Sequence, residues 1–218
     1  MKKKILMMLS SLAVVLFLFT GCSGLSINNC ISEITFIYFK GQDSSSSSVY
    51  ASISVGEREE PYKMDGKHRK NVDFALINLI LDDVSQNEVM ATIDIDGTAS
   101  EIMLEFNPRT SSYMADLGYA ISGDSVVNLK VDNYSIDFSN ISKDFKVDYN
   151  KALEIGEKML SENVANFSSS NFDGEIYLKL FTMEGSDVLY WIYTAVYENG
   201  VTYNFAINVN DENDVYVD

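Results

Sequence analysis

Short segments of alternating apolar and polar residues, separated by turn-forming residues, constrain the fold of this chain more than any other feature. Between residues 31 and 142 they follow one another closely; residues 49–55 are one example, with every second residue apolar. A period of two places these side chains on one face of a β-strand. Asp96-Gly97 separates two such segments and suits a type I′ hairpin turn, whose central residues need positive φ. About eight short strands spaced by roughly 8–12 residues therefore predict an antiparallel β-sandwich.

The pattern changes after residue 146. Apolar residues recur at helical spacing between Ala152 and Leu160, and Asp148 or Asn150 can cap the start of a helix that ends near Asn163. Three strand-like segments follow, and Asn199-Gly200 between the last two is the strongest short hairpin signal in the chain. This part predicts a helix packed on an antiparallel sheet.

The predicted fold class is therefore mainly β with an α+β C-terminal part. An antiparallel β-sandwich comes first and a helix packed on an antiparallel sheet follows. The expected organisation is a signal peptide at 1–21, a tether at 22–30, an immunoglobulin-like sandwich at 31–145 and an α+β domain at 146–218. "Immunoglobulin-like" refers to architecture alone, because the chain lacks the paired cysteines of antibody domains.

The N-terminus has the three parts of a secretory signal. Three lysines at positions 2–4 precede an apolar run at 5–19, and Thr20-Gly21-Cys22 follows. Fifteen residues are too few to span a hydrocarbon core as a helix, which needs roughly 20 residues. The small residues before Cys22 resemble the lipobox of bacterial lipoproteins, with Phe19 at the position where that motif usually has leucine. The resemblance implies that Cys22 is acylated and becomes the mature N-terminus.

Lipid on Cys22 predicts a protein anchored to the cell membrane at its extracytoplasmic face. A diacylglyceryl group has two chains, which is enough for stable anchoring, whereas one chain binds only marginally. If Cys22 carries lipid, Cys30 has no partner for an intrachain disulfide. We expect Cys30 to be a small buried apolar residue, the alternatives being a reactive thiol or an intermolecular bridge.

The C-terminal part resembles a known extracytoplasmic family. Residues 151–158 read Lys-Ala-Leu-Glu-Ile-Gly-Glu-Lys, and residues 190–209 form two aromatic strand segments around Asn199-Gly200. Both features are similar to the helix and closing hairpin of PepSY domains. The resemblance covers residues 149–218, about a third of the chain, and implies a helix on an antiparallel sheet and a role in restraining peptidases or assisting their folding. It brings no catalytic residues with it.

The charge balance excludes some functions. Removing residues 1–21 takes away three of the 16 basic residues and none of the 32 acidic ones, so the formal charge changes from −16 to −19. This balance argues against nucleic-acid binding, which needs basic patches, and against attraction to anionic lipid. It favours solubility, association with cations, or a basic partner.

Signals for catalysis, cofactors and metals are missing from the sequence. His68 is the only histidine, no nucleophile-elbow motif accompanies it, and no phosphate-binding glycine loop is present. The prediction is a protein that is not an enzyme, with no catalytic residues, no cofactor and no metal site. Calcium at the acidic cluster Asp211, Glu212 and Asp214 is the weaker alternative.

Two candidate contact surfaces emerge from the pattern. With Asn199-Gly200 as a two-residue turn, one side of the hairpin carries aromatic residues among polar ones, which suits peptide or glycan contact: Trp191, Tyr193 and Tyr197. The second surface is a loop with five basic residues in 13 positions, suited to an acidic partner, a cell-wall polymer or lipid headgroups: Arg58, Lys63, Lys67, Arg69 and Lys70. Cross-strand packing and a solvated loop are the plainer explanations.

These observations lead to one functional hypothesis and two alternatives. The hypothesis is a non-enzymatic, lipid-anchored module that binds a protein or peptide partner and modulates a peptidase if the PepSY resemblance extends to function. The alternatives are a solute- or glycan-binding surface lipoprotein and a structural envelope protein.

Replacement of Cys22 tests the membrane anchor. We expect Cys22→Ser to abolish incorporation of labelled palmitate and to release the protein from the membrane fraction, because the acylated thiol is lost. Cys30→Ser is the matched control and leaves labelling intact. Mass spectrometry that finds residue 22 without diacylglycerol in the native protein contradicts the prediction.

Overall fold

The computed structural model describes residues 27–84, 86–165, 167–182 and 188–217. The predicted signal peptide and Cys22 lie outside the described residues. The strands are β1 (Ile31–Asp43), β2 (Tyr50–Glu59), β3 (Asn71–Ile80), β4 (Glu88–Ile95), β5 (Thr98–Asn107), β6 (Ser112–Asp116), β7 (Val127–Val131), β8 (Tyr134–Asn140), β9 (Gly174–Thr182), β10 (Leu189–Tyr197), β11 (Thr202–Asn208) and β12 (Val215–Val217). One α-helix, α1 (Tyr149–Asn163), and three short 3-10 turns, Ile27–Cys30, Ser142–Asp144 and Ser169–Asn171, complete the described part.

Eight of the strands close into an antiparallel barrel. The hydrogen-bonded order is β1-β2-β3-β6-β5-β4-β7-β8, and β8 pairs back onto β1. The predicted sandwich is therefore wrong. Sandwich and barrel strands both bury alternate residues, so the local pattern is the same, whereas closure depends on pairing residues 39–43 with residues 136–140. Gly41 permits this approach, because a Cβ there would lie 2.6 Å from Ile136.

The C-terminal strands extend the same sheet. The first part of β1 pairs in parallel with β9, and β10, β11 and β12 follow in antiparallel order. A register shift between Thr35 and Ile37 divides the part of β1 that pairs with β9 from the part that pairs with β8. The predicted fold class, a sandwich followed by a helix on an antiparallel sheet, is wrong, because β9 joins β1 in parallel and one 12-stranded sheet runs through both parts. The domain division at residue 145 stays a prediction.

Two predicted local features are confirmed. Ile95 pairs with Thr98 across Asp96-Gly97, and both turn residues have positive φ, 54° and 82°, as a type I′ turn requires. Helix α1 begins after Asp148, whose side chain accepts a hydrogen bond of 2.8 Å from the amide of Lys151.

Two apolar clusters lie on opposite sides of β1. The barrel interior is filled by aliphatic side chains from all eight strands, together with Phe39, Tyr113 and Phe138. The second cluster joins α1 to the sheet extension and contains Ile34, Leu160, Trp191, Tyr193 and Phe205. Residues of β1 contribute to both clusters, since successive side chains of a strand point to opposite faces.

Helix α1 packs on β10 through a glycine. Gly156 is buried, and a Cβ built on it would lie 2.1 Å from the ring of Tyr193. The Tyr193 ring is itself fully buried, so it cannot swing away from the helix. The close approach of α1 to the sheet therefore needs glycine at position 156.

Substitution of Gly156 tests this contact. Gly156→Ala favours the helix intrinsically by up to about 1 kcal/mol, but overpacking against a buried ring costs about 1–3 kcal/mol. We expect the free energy of unfolding to fall by about 1–2 kcal/mol in urea titration. Ser161→Ala, at an exposed position of the same helix, is the control. Equal or greater stability of Gly156→Ala contradicts the packing described here.

Candidate binding cleft

The predicted aromatic face does not form an open surface. The amide of Tyr197 bonds to the carbonyl of Val201, and Gly200 has a φ of 80°, so the turn contains three residues instead of two. Val196 therefore pairs with Thr202, one position away from the predicted register. With this register Trp191 pairs with Ile207 and Tyr193 with Phe205, so the aromatic side of β10 continues into apolar residues of β11.

The aromatic side chains pack into the interior of the sheet extension instead. Trp191 is buried and donates a 2.8 Å hydrogen bond from Nε1 to the carbonyl of Val147. Tyr193 is buried against Gly156. Its pKa is raised mainly because the hydroxyl is buried, and the nearby negative charge of Glu157 adds to this effect. Tyr197 is half-buried between Phe172 and Tyr203. These three side chains belong to the packing of the sheet extension.

The predicted basic loop is tied down by acidic groups. Arg58 pairs with Asp116 beside the ring of Phe74. Lys67 lies 3.5 Å from Glu198 in an exposed pair. Lys63 and Lys70 make no ion pair with any described residue. The five basic side chains therefore do not form one continuous cationic surface.

Two buried carboxylates hold the loop between β2 and β3. Glu175, fully buried on β9, accepts hydrogen bonds at Oε2 from the amides of Asp65 and Gly66, at 3.0 and 2.6 Å. Its Oε1 accepts a 3.0 Å bond from the hydroxyl of Ser32. Bonds to an ionised acceptor are roughly twice as strong as neutral ones. Glu175 thus fastens the loop of the barrel onto the sheet extension.

Glu59 makes the matching contacts from β2. Its Oε1 accepts bonds from the amide of Lys63 at 2.9 Å and from the hydroxyl of Tyr177 at 3.3 Å. Arg69 lies between the two carboxylates, 3.3 Å from Glu59 and 3.9 Å from Glu175. A 2.6 Å bond from Arg69 to Asp65 raises the pKa of Arg69 and lowers that of Asp65. The cluster is satisfied, as buried charges must be.

His68 belongs to the same network. Its Nδ1 lies 3.1 Å from the Ser32 hydroxyl, which already donates to Glu175. A hydroxyl has one proton, so His68 Nδ1 must be the donor in this contact. The serine hydroxyl therefore lies between the histidine and the carboxylate. In a hydrolytic triad the histidine lies between the serine and the carboxylate.

A cleft opens between this loop, β1 and α1. Its volume is about 420 Å³. The apolar part of its wall consists of Ile31, Ile34, Phe36, Tyr149 and Leu153. The polar part consists of Glu57, His68, Asn71, Asn150, Glu154 and Glu157. An apolar wall with a few convergent polar groups is the usual composition of a binding site.

Carboxylates face the cleft from both of its sides. Glu57 comes from β2, while Glu154 and Glu157 come from the outer side of α1. Glu57 and Glu157 are half-buried, and neither makes an ion pair with a described residue. Glu154 is largely exposed and lies 3.4 Å from Lys151. The cleft consequently carries an excess of negative charge.

A second depression continues the cleft along α1. It has a volume of about 470 Å³ and is lined by Glu154, Glu157, Lys158, Ser161 and residues 167–169. Glu154 and Glu157 line both hollows, so the two lie next to each other along α1. From Tyr149 to Ser161 the helix rises about 18 Å, at 1.5 Å per residue.

The sequence contains part of the signal for this site. Asn150, Glu154, Glu157 and Ser161 recur at helical spacing and form a polar stripe that a helical projection reveals. Glu57 has no such signal, because it is one polar residue of an alternating strand. Only the packing of α1 against β1 and its neighbours brings the two sets together.

The other sequence predictions concern Cys30, a metal site and the membrane. Cys30 is half-buried. The pKa of its thiol is raised mainly by burial, and the negative charge of Asp173 adds to this effect. In the part of the chain that the structure describes, no group of three or more histidine, cysteine, aspartate or glutamate side chains is placed to hold a metal ion. No helix within the described ranges has the length and apolar character needed to cross a membrane.

Comparisons with known proteins give no relatives for this chain. No protein-family model, no curated protein and no solved structure matches it. The site is therefore interpreted from its own geometry.

Substitution of Glu175 tests the attachment of the loop. Glu175→Gln removes the charge that accepts the Asp65 and Gly66 amides, and breaking such a buried arrangement costs about 3 kcal/mol. We expect that loss in the free energy of unfolding, with faster hydrogen exchange at both amides. Glu101→Gln, on the exposed surface of β5, is the control. Unchanged exchange at Asp65 and Gly66 contradicts the anchoring role of Glu175.

Proposed function

We propose that the protein is a lipid-anchored, extracytoplasmic and non-enzymatic binding protein that holds a protein or peptide partner in the cleft beside α1. The observation that carries the proposal is the cleft itself, which combines an apolar wall with carboxylates on both sides. Apolar area supplies affinity, and a few placed polar groups fix orientation.

The anchor places this cleft near the membrane. If Cys22 carries lipid, it is five residue steps away from Ile27, which is buried in the cluster beneath α1. An extended chain spans at most about 3.6 Å per residue, so the tether reaches roughly 18 Å. Partners that approach the bilayer closely are therefore within reach.

The alternatives have weaker support. The aromatic face was expected to contact a peptide or a glycan, and because Trp191 and Tyr193 are buried it supports neither; no other feature of the described residues points to a glycan. A structural envelope role does not require a cleft lined by unpaired half-buried carboxylates. Restraint of a peptidase stays a proposal that rests on the PepSY resemblance of residues 149–218.

Site-specific photocrosslinking in cells tests the proposal. Benzoylphenylalanine at Asn150, an exposed residue of the cleft, is expected to crosslink a protein or peptide partner in the membrane fraction. The same group at Met90, exposed on the barrel wall, is the control and gives no such product. Absence of crosslinks at Asn150, or equal products at both positions, contradicts the proposed function.

A further inference from the structure

Two of the three carboxylates that line the cleft have no cationic partner among the described residues. Glu57 and Glu157 project from separate elements, are half-buried, and make no ion pair with a described residue. A bound cationic group could pair with these carboxylates, and an attraction of this kind is stronger in a partly buried space than in bulk water. The negative net charge of the chain also attracts cations from a distance.

The apolar wall narrows the class of cation. Ile34, Phe36 and Leu153 line the same cleft as the carboxylates. Lysine and arginine side chains match such a wall, because their methylene stems cover apolar surface while the charged head remains at the polar rim. A small hydrated metal ion or a simple amine has no apolar part, so it would make no contact with the apolar wall of the cleft.

The shape of the site favours a peptide. The cleft and the second depression share Glu154 and Glu157, and the α1 residues that line them span about 18 Å. An extended chain rises about 3.3 Å per residue, so a peptide lying along both hollows has roughly five or six residues. Alternate side chains of an extended peptide can then meet the wall and the carboxylates in turn.

We infer that the cleft between α1 and β1–β3 binds an extended basic peptide segment, in which lysine or arginine alternates with apolar residues. Glu57 and Glu157 receive the cationic heads, and Ile34, Phe36 and Leu153 contact the apolar side chains. This inference rests on the proposed function and specifies the partner of the same site.

Fluorescence anisotropy with two labelled heptapeptides tests the inference on the full chain in non-ionic detergent. The basic probe is Ser-Leu-Lys-Leu-Arg-Leu-Ser, and the neutral probe carries glutamine at both basic positions. Each partly exposed ion pair contributes up to about 1 kcal/mol, so we expect about tenfold weaker binding of the neutral probe. Higher salt should reduce this difference.

Two variants locate the effect. Glu57→Gln and Glu157→Gln are each expected to weaken binding of the basic probe about threefold to fivefold and to leave the neutral probe unaffected. Glu101→Gln removes the same charge from the barrel wall and should change neither probe. Glu157 lies on the polar side of α1, so we expect Glu157→Gln to remain folded. If thermal melts show that Glu57→Gln is unfolded, the Glu157→Gln result alone tests the inference.

The possible results separate the inference from the proposed function. Equal affinity for both probes, or no effect of Glu157→Gln, overturns the basic-peptide inference; crosslinking at Asn150 then still supports a binding protein. Displacement of the basic probe by spermidine at equal charge overturns it in favour of a small amine. Failure of both probes overturns it as well, and the photocrosslinking result decides separately whether the proposed function stands.

Discussion

The pairing of β1 with three partners is the constraint on which the rest of the structure depends. Along its 13 residues β1 pairs with β2, its first part also pairs with β9, and its last part closes the barrel on β8. The register shift at Phe36 lets one strand serve both assemblies, since a bulge bends and twists a strand locally. Without this register shift β1 could not pair in both the barrel and the sheet extension. Helix α1 would then have no strand on the other side of the cleft.

The charged cluster around Arg69 reinforces this junction. Glu59 comes from the barrel and Glu175 from the extension, and both are inaccessible to solvent. They accept bonds from backbone amides of the loop, so their burial is compensated by donors that the loop supplies. The same loop carries His68 and leads into Asn71, which both line the cleft. The polar groups that stabilise the junction are therefore adjacent to the candidate binding surface, but the two sets have different roles.

The hairpin between β10 and β11 shows how a small local difference changes a functional interpretation. One extra turn residue after Tyr197 changes the strand register, and Trp191 and Tyr193 lie beneath α1. Tyr193 and Gly156 then fit together as a large and a small residue, which brings the helix close to the sheet. Because the opposite side of α1 packs on the sheet, the polar stripe of the helix lies on the outside and lines the cleft together with Glu57 of β2. The cleft is a consequence of this packing.

The sequence by itself determined the local elements. Alternation defined the strands, Asp148 capped α1, and Asp96-Gly97 specified its turn, because each depends on residues near in the chain. Only the tertiary structure decided that the strands close into a barrel, that α1 packs on Tyr193, and that Glu57 and Glu157 line the same cleft. The barrel closure and the cleft bring together residues about 100 positions apart, and α1 contacts a strand about 40 positions later in the chain. Alternation does not encode which of these distant elements pair. Closure, burial and the candidate site are decided by long-range packing.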